Sequence, residues 1–222
     1  MMNTSRSLRH HMAYLSIIFA FASASTALGQ NVNPASHLRS VERTYNAINA
    51  FEARFDQQMT FPYGGGMLRN SGLIRLQGDQ YRIDMDNGQS MVNNGTTSWV
   101  YTKNDNQVLI NDVAQGSRSF TDYIFRDQSK NYNAERAERM QLDDRMAIEI
   151  QMSARDEMAM FPTVTLWTDP QTFHIYRARL VDMNGTIMVF DLSSMKFNET
   201  IAPDVFNFEP PADASVVDLR RS

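Results

Sequence analysis

The chain predicts a mainly β, antiparallel domain of about ten to eleven strands, with helices confined to its start and middle. Three observations predict it. Between Asn93 and Asp112 (NNGTTSWVYTKNDNQVLIND) two runs rich in β-branched and aromatic residues flank a corner, Lys103 to Asn106, that holds no apolar side chain. Asn94-Gly95, just before, marks a second reversal where positive φ is tolerated. From Phe51 onward, apolar residues recur with period two and are punctuated by turn signals at the spacing of a barrel or sandwich.

Taken in order, residues 1–29 carry the pattern of a secretory signal peptide. Arg6, Arg9, His10 and His11 precede the apolar run Ala13 to Ala22, and Ala27-Leu28-Gly29 offers small residues for cleavage before Gln30. That run is short for a transmembrane helix. Residues 30–222 are then expected to form one domain. Asn33-Pro34 is a helix start, with Asn as cap and Pro in the first turn. Leu38, Val41, Tyr45 and Ile48 follow at three- and four-residue steps and give that helix one apolar face.

Phe51, Ala53, Phe55, Gln57, Met59 and Phe61 then alternate with polar residues along a half-buried strand. Pro62 to Gly66 is a turn, Leu73 to Gln77 a strand, and Gly78-Asp79 a turn; Tyr81, Ile83 and Met85 line one face of the next strand. After the central hairpin, Ser117 to Asp127 breaks the alternation, and Phe120, Tyr123 and Ile124 share a helical face with Phe125 beside them. A helix this short must dock its apolar side. Asn133–Leu142, Met146–Ser153, Thr163–Thr168, Phe173–Asp182 and Thr186–Phe197 read as five further strands. In the tail, Phe206 and Phe208 suggest a last edge segment that Pro210-Pro211 ends.

Composition excludes several function classes. The chain has 15 Met and no Cys, which removes disulfides, thiolate metal sites, cysteine nucleophiles and a cysteine-borne lipid anchor. Without Arg6 and Arg9, 19 basic side chains face 25 acidic ones, so nucleic acid and anionic membrane surfaces are unsuited partners. His37 and His174 stand far apart without metal-ligand spacing, and Asp84, Asp86 and Gly88 only faintly echo a calcium loop, so no metal site is expected. No nucleophile elbow, phosphate loop or dinucleotide fingerprint is present, and the acidic pairs fall at solvated corners; neither catalytic residues nor a cofactor is expected.

The remaining signal is apolar. Phe55, Met59, Tyr81, Ile83, Met85, Trp99, Tyr101, Met146, Ile148, Ile150 and Met152 would supply a large concave face if the sheet curls, with methionine suited to refitting around varied ligands. Periodicity does not distinguish a filled barrel from a hollow one.

The amphipathic helix running into FEARFDQQM (Phe51–Met59), then GLIRLQGDQYRIDM (Gly72–Met85), VNNGTTSWVYTKNDNQVLI (Val92–Ile110) and DVFNFEPPADASVVD (Asp204–Asp218), resembles the LolA family of periplasmic outer-membrane lipoprotein carriers. The pairing of G-x-x-x-W-x-Y at Gly95–Tyr101 with F-x-F-x-P-P at Phe206–Pro211 carries the likeness most specifically. The resemblance implies an unclosed antiparallel β-barrel with a lid of short helices over an apolar cavity. It implies a monomeric periplasmic chaperone that takes acylated lipoproteins from an inner-membrane ABC transporter and passes them to an outer-membrane lipoprotein receptor. Phe55, Met59, Tyr81, Ile83 and Met85 would touch the acyl chains from the wall, with Trp99 and Tyr101 beside them and Phe120, Tyr123 and Ile124 from the lid. The family commonly has Arg-Pro at the end of the second strand, where the arginine latches the lid. Here that place reads Gln77-Gly78, and neither Arg75 nor Arg82 is assigned in its stead. The alternatives are a lipid-sensing module of the same shape, as in the regulator RseB, and a secreted β-domain that carries nothing.

Overall fold

The computed structural model describes residues 32–113 and 121–220. The signal segment and Phe120 lie outside the described residues. Helix α1 (Pro34–Asn46) starts as its sequence dictates: the Asn33 side chain accepts from the Ser36 amide, and Leu38, Val41 and Tyr45 are buried on one face. His37 is buried with them.

The strands are β1 (Ala50–Thr60), β2 (Met67–Gln77), β3 (Gln80–Met85), β4 (Ser90–Asn93), β5 (Thr97–Thr102) and β6 (Gln107–Asp112). One-turn helices α2 (Asp122–Phe125) and α3 (Gln128–Asn131) follow. Then come β7 (Tyr132–Leu142), β8 (Arg145–Ala154), β9 (Thr163–Thr168), β10 (Ile175–Val181), β11 (Ile187–Phe197) and β12 (Ser215–Asp218). All twelve form one sheet in the order β12-β6-β5-β4-β3-β2-β1-β11-β10-β9-β8-β7. Two antiparallel meanders are therefore joined by β1 against β11, while β7 and β12 remain as edges, and the curled sheet is an unclosed barrel.

Local chemistry sets the corners. Asn94 accepts through Oδ1 from the Thr96 and Thr97 amides, and Gly95 takes φ 93°, as the Asn-Gly pair predicts.

Several boundaries differ from expectation. β2 begins at Met67 rather than Leu73, because backbone pairing with β1 persists from Thr60 to Ala50 through residues whose side chains show no alternation. Phe173 has φ 62° and closes a turn, so β10 starts only at Ile175. The tail's edge strand is Ser215–Asp218, beyond Pro210-Pro211, and it runs parallel to β6. Phe206 instead ends a 3-10 turn, Pro203–Phe206, and is fully buried. The strands that raise the number to twelve, β4 and β12, have 4 residues each, too few for a period to show.

The core has an uneven filling. α1 packs toward β7, and Leu38, Val41 and Tyr45 join Ile148, Ile150, Met152, Val164, Leu166 and Leu180 in a core cluster that runs on to Phe55, Ile74, Ile83, Phe190 and Leu192. Under α1 the barrel is plugged by its own side chains. Under β1 to β4 and β11 the same cluster borders a cavity.

Candidate functional site

Register decides which side chains meet. Across the inner face, Met85 stands beside Gly72, Gly72 beside Phe55 and Phe55 beside Leu192; one step away Asn70, Gln57 and Phe190 form the next rung. Beneath these strands lies a cavity of about 250 Å³, lined by Phe55, Gln57, Ile74, Ile83, Met85, Met91, Met188, Phe190 and Leu192, with Ile124 and Phe125 of α2 as its roof. Gln57 is the one polar side chain in that lining, and its Oε1 accepts from Asn70 Nδ2 at 3.3 Å.

Gly72 makes room for the wall. A Cβ there would fall 2.8 Å from Phe55 Cζ and 2.3 Å from the Asp84 carbonyl oxygen, so only glycine lets the Phe55 ring lie across β2.

The sequence matches the family described as outer membrane lipoprotein carrier protein LolA over residues 46–209. The chain belongs to the LolA family. No curated protein matches it. Among solved structures it is similar to an uncharacterized conserved protein from Thermus thermophilus, with TM-score 0.53 and 15% identity over 84% of this chain and 98% of that one. It is also similar to a LolA superfamily protein from Nitrosomonas europaea (TM-score 0.43, 14% identity, 80% and 98% covered). A third is the lipoprotein LppX of Mycobacterium tuberculosis (0.48, 12%, 77% and 97%). At these identities the Thermus structure bears on the fold alone.

Of the residues expected to touch acyl chains, Phe55, Ile83, Met85 and Ile124 line the cavity of this LolA-family chain. Met59 lies one rung further along the inner face, half-buried between Leu68 and Met188. Tyr81 is half-buried near the start of α2. Burial pushes its phenol pKa up against the pull of the Asn93 side chain, and the Asp122 carboxylate adds to the rise. Tyr123 turns away from the cavity lining and sets its ring edge-on to Phe161 at 4.9 Å.

Trp99 and Tyr101 require a correction. Cross-strand partners share a face, and Trp99 pairs with Val92 and Ile110 while Val92 pairs with Arg82, so both aromatics stand on the opposite face from Ile83. There the tail covers them: Phe206 is buried, Phe208 lies 5.8 Å from Tyr101 and Arg82 donates to the Val205 carbonyl at 3.2 Å. The expected concave quartet on β8 divides too. Met146 is 37% exposed, and Ile148, Ile150 and Met152 belong to the part plugged under α1.

Ile74, Met91, Phe125, Met188, Phe190 and Leu192 also line the cavity, beyond the residues to which the sequence points. Alternation in β11 marks Met188, Phe190 and Leu192 as one face, but only the β1–β11 pairing brings that face to Phe55.

The roof is tied at both ends. Phe125 packs between Tyr45 and Phe51, each ring 5.2 Å away, and Glu42 of α1 accepts from the Ser129 amide and hydroxyl at 2.5 Å each. At the end of α2, Arg126 donates to the Gly78 carbonyl and pairs with Asp79 at 3.0 Å. Arg126 thus bridges the end of α2 to the β2–β3 turn. Arg75 pairs with Glu52 and Asp84, and Arg82 with Asp84, so both serve the outer face. Asp86 is likewise bonded to Arg54 and Ser71, which accounts for the acidic pair that echoed a calcium loop. Among the described residues no group of three or more His, Cys, Asp or Glu side chains is arranged to hold a metal ion.

Proposed function

We propose that the protein is a periplasmic carrier that shields the acyl chains of lipoproteins in the cavity under α2 and delivers them to the outer membrane. The observation that carries this is an apolar cavity of about 250 Å³ walled by β1, β2, β3, β4 and β11 and roofed by two side chains on a one-turn helix. Burying a methylene is worth about 0.8 kcal/mol, so a long acyl chain represents on the order of 10 kcal/mol and does not cross an aqueous gap unaided. A roof on so short a helix is held by docking rather than by its own helicity, and it is the part of the molecule most readily displaced by cargo.

The carrier binds and releases without covalent chemistry, and takes its direction from its partners. Those partners are an inner-membrane ABC transporter as donor and an outer-membrane lipoprotein receptor as acceptor. The LolA-family match and a secretory pattern in residues 1–29 support a periplasmic location. Among the described residues no helix is long and apolar enough to cross a membrane.

The test is a photo-crosslinking amino acid at Met85, with the protein recovered from envelope extract and its adducts identified by mass spectrometry. Acylated protein is the expected adduct. Free lipid alone would point to a sensing module, and the absence of any apolar adduct would refute the carrier.

A further inference from the structure

The cavity is too small for the cargo that the proposed function gives it. An apolar cavity of ~150 Å³ takes one benzene, so about 250 Å³ holds on the order of ten carbons. A palmitoyl chain is longer than that. The remainder needs apolar surface that continues from the cavity.

Such surface continues in one direction along the inner face. Beyond the Gln57–Phe190 rung, Met59 pairs with Leu68 on β2 and Met188 on β11, and Met188 is itself part of the cavity lining. Phe61 follows two residues after Met59 and keeps the ladder through its amide, which donates to the Gly66 carbonyl at 3.1 Å. Phe61 therefore faces the same way. Leu68 is 46% exposed and Phe61 37%, with Tyr63 wholly exposed at the tip. Apolar side chains so exposed in one hairpin, adjoining a hydrophobic cavity, mark a binding surface more than a defect of packing.

We infer that the distal part of a long acyl chain leaves the cavity over the Met59–Met188–Leu68 rung and lies along the Phe61 lip, making the tip of the β1–β2 hairpin a second acyl-binding subsite. This rests on the acyl-binding reading above. The cavity sets a short-chain affinity, and the lip adds affinity in proportion to chain length.

The experiment titrates the mature chain with octanoate and with palmitate, in the wild type and in the Phe61→Ser/Leu68→Gln double variant. Both positions are exposed enough that the fold survives, which the melting curve verifies. Palmitate is expected to weaken about tenfold in the variant, what losing cover over about two methylenes costs, while octanoate stays within about twofold. Leu68→Met, which preserves an apolar side chain, should bind palmitate as the wild type does. If the wild type binds neither acid, the carrier function itself fails. Octanoate and palmitate binding equally well, or weakening equally in the variant, would overturn the lip subsite and leave the cavity standing. So would a variant that keeps palmitate but loses binding to phosphatidylethanolamine–phosphatidylglycerol vesicles, because the tip would then be a membrane contact.

Discussion

Replacing Arg126 by Ala should loosen the roof of the cavity without loosening the barrel. Arg126 holds α2 by two bonds of unequal worth. Its ion pair with Asp79 lies in solvent, the Asp79 side chain being 93% exposed, and contributes ~0–1 kcal/mol. Its bond to the Gly78 carbonyl is a charged donor on a backbone acceptor, worth ~1.5–3 kcal/mol when sheltered and less here, where the guanidinium is one-third exposed. Together they stabilise the docked roof by about 1–2 kcal/mol, or a factor of 5–30 in the opened population.

Burial of Ile124 and Phe125 supplies the larger part of the docking, so the roof in Arg126→Ala stays mostly shut. Native-state hydrogen exchange reads the change at the Phe125 and Arg126 amides, which donate to Thr121 and Asp122 at 2.9 and 3.1 Å. Their exchange should accelerate by about 5–30-fold while amides in β1 and β11 keep their rates. Asp79→Asn should accelerate the same amides by less than about threefold, since only the screened pair is lost. Two results would refute the latch: wild-type exchange at Phe125 in Arg126→Ala, or equal acceleration throughout β1 and β11.

Other perturbations separate wall, tail and helix. Gly72→Ala should displace the Phe55 ring and strain β2 against the Asp84 carbonyl, costing about 1–3 kcal/mol by denaturant unfolding and weakening acyl-chain binding; an unchanged melting curve would show that the strand gives freely. Phe206→Ala should cost about 3–5 kcal/mol, since the ring is fully buried, yet leave octanoate affinity in the folded protein unaltered, because the tail packs on the face opposite the cavity. His37 is pressed below its ordinary pKa of 6.5 by burial and by the Arg139 charge, and its Nε2 lies 2.8 Å from Thr168 Oγ1. A depressed folded pKa means stability fully present above 6.5 and lost as pH falls through 6.5 toward the folded value, so the melting temperature should fall more steeply below about pH 7 than in His37→Gln. Parallel pH profiles would remove His37 from that account. His174 is depressed in the same direction by burial, partly offset by Asp169, and is common to both proteins.

Much of the molecule follows from local pattern. Asn33-Pro34 positions α1, Asn94-Gly95 turns the central hairpin, and the alternation from Phe51 to Met59 assigns that strand's inner face correctly. The same alternation groups Tyr81 with Ile83 and Met85. It fails at Trp99 and Tyr101, because period two says that two residues share a face but not which face. Every residue of β5 is half-buried, and the face that carries its aromatics is packed by the tail, so in sequence it reads as a core face without being the barrel's inner one. The β2 boundary was hidden for a related reason: backbone ladder bonds extend through Met67 to Asn70, and those bonds are blind to side-chain hydrophobicity.

By itself, then, the sequence determined the antiparallel meander, the amphipathic opening helix and the family, since those depend on neighbours a few residues apart and on motifs carried whole in the chain. Only the tertiary structure decided where the barrel is hollow. That depends on α1 leaning toward β7 rather than β2, and on β11 closing against β1 so that Leu192 and Phe190 complete the wall opposite Ile83 and Met85. Both are contacts between segments far apart in the chain. A vacancy is the space that such contacts leave unfilled, so no short stretch of sequence records it.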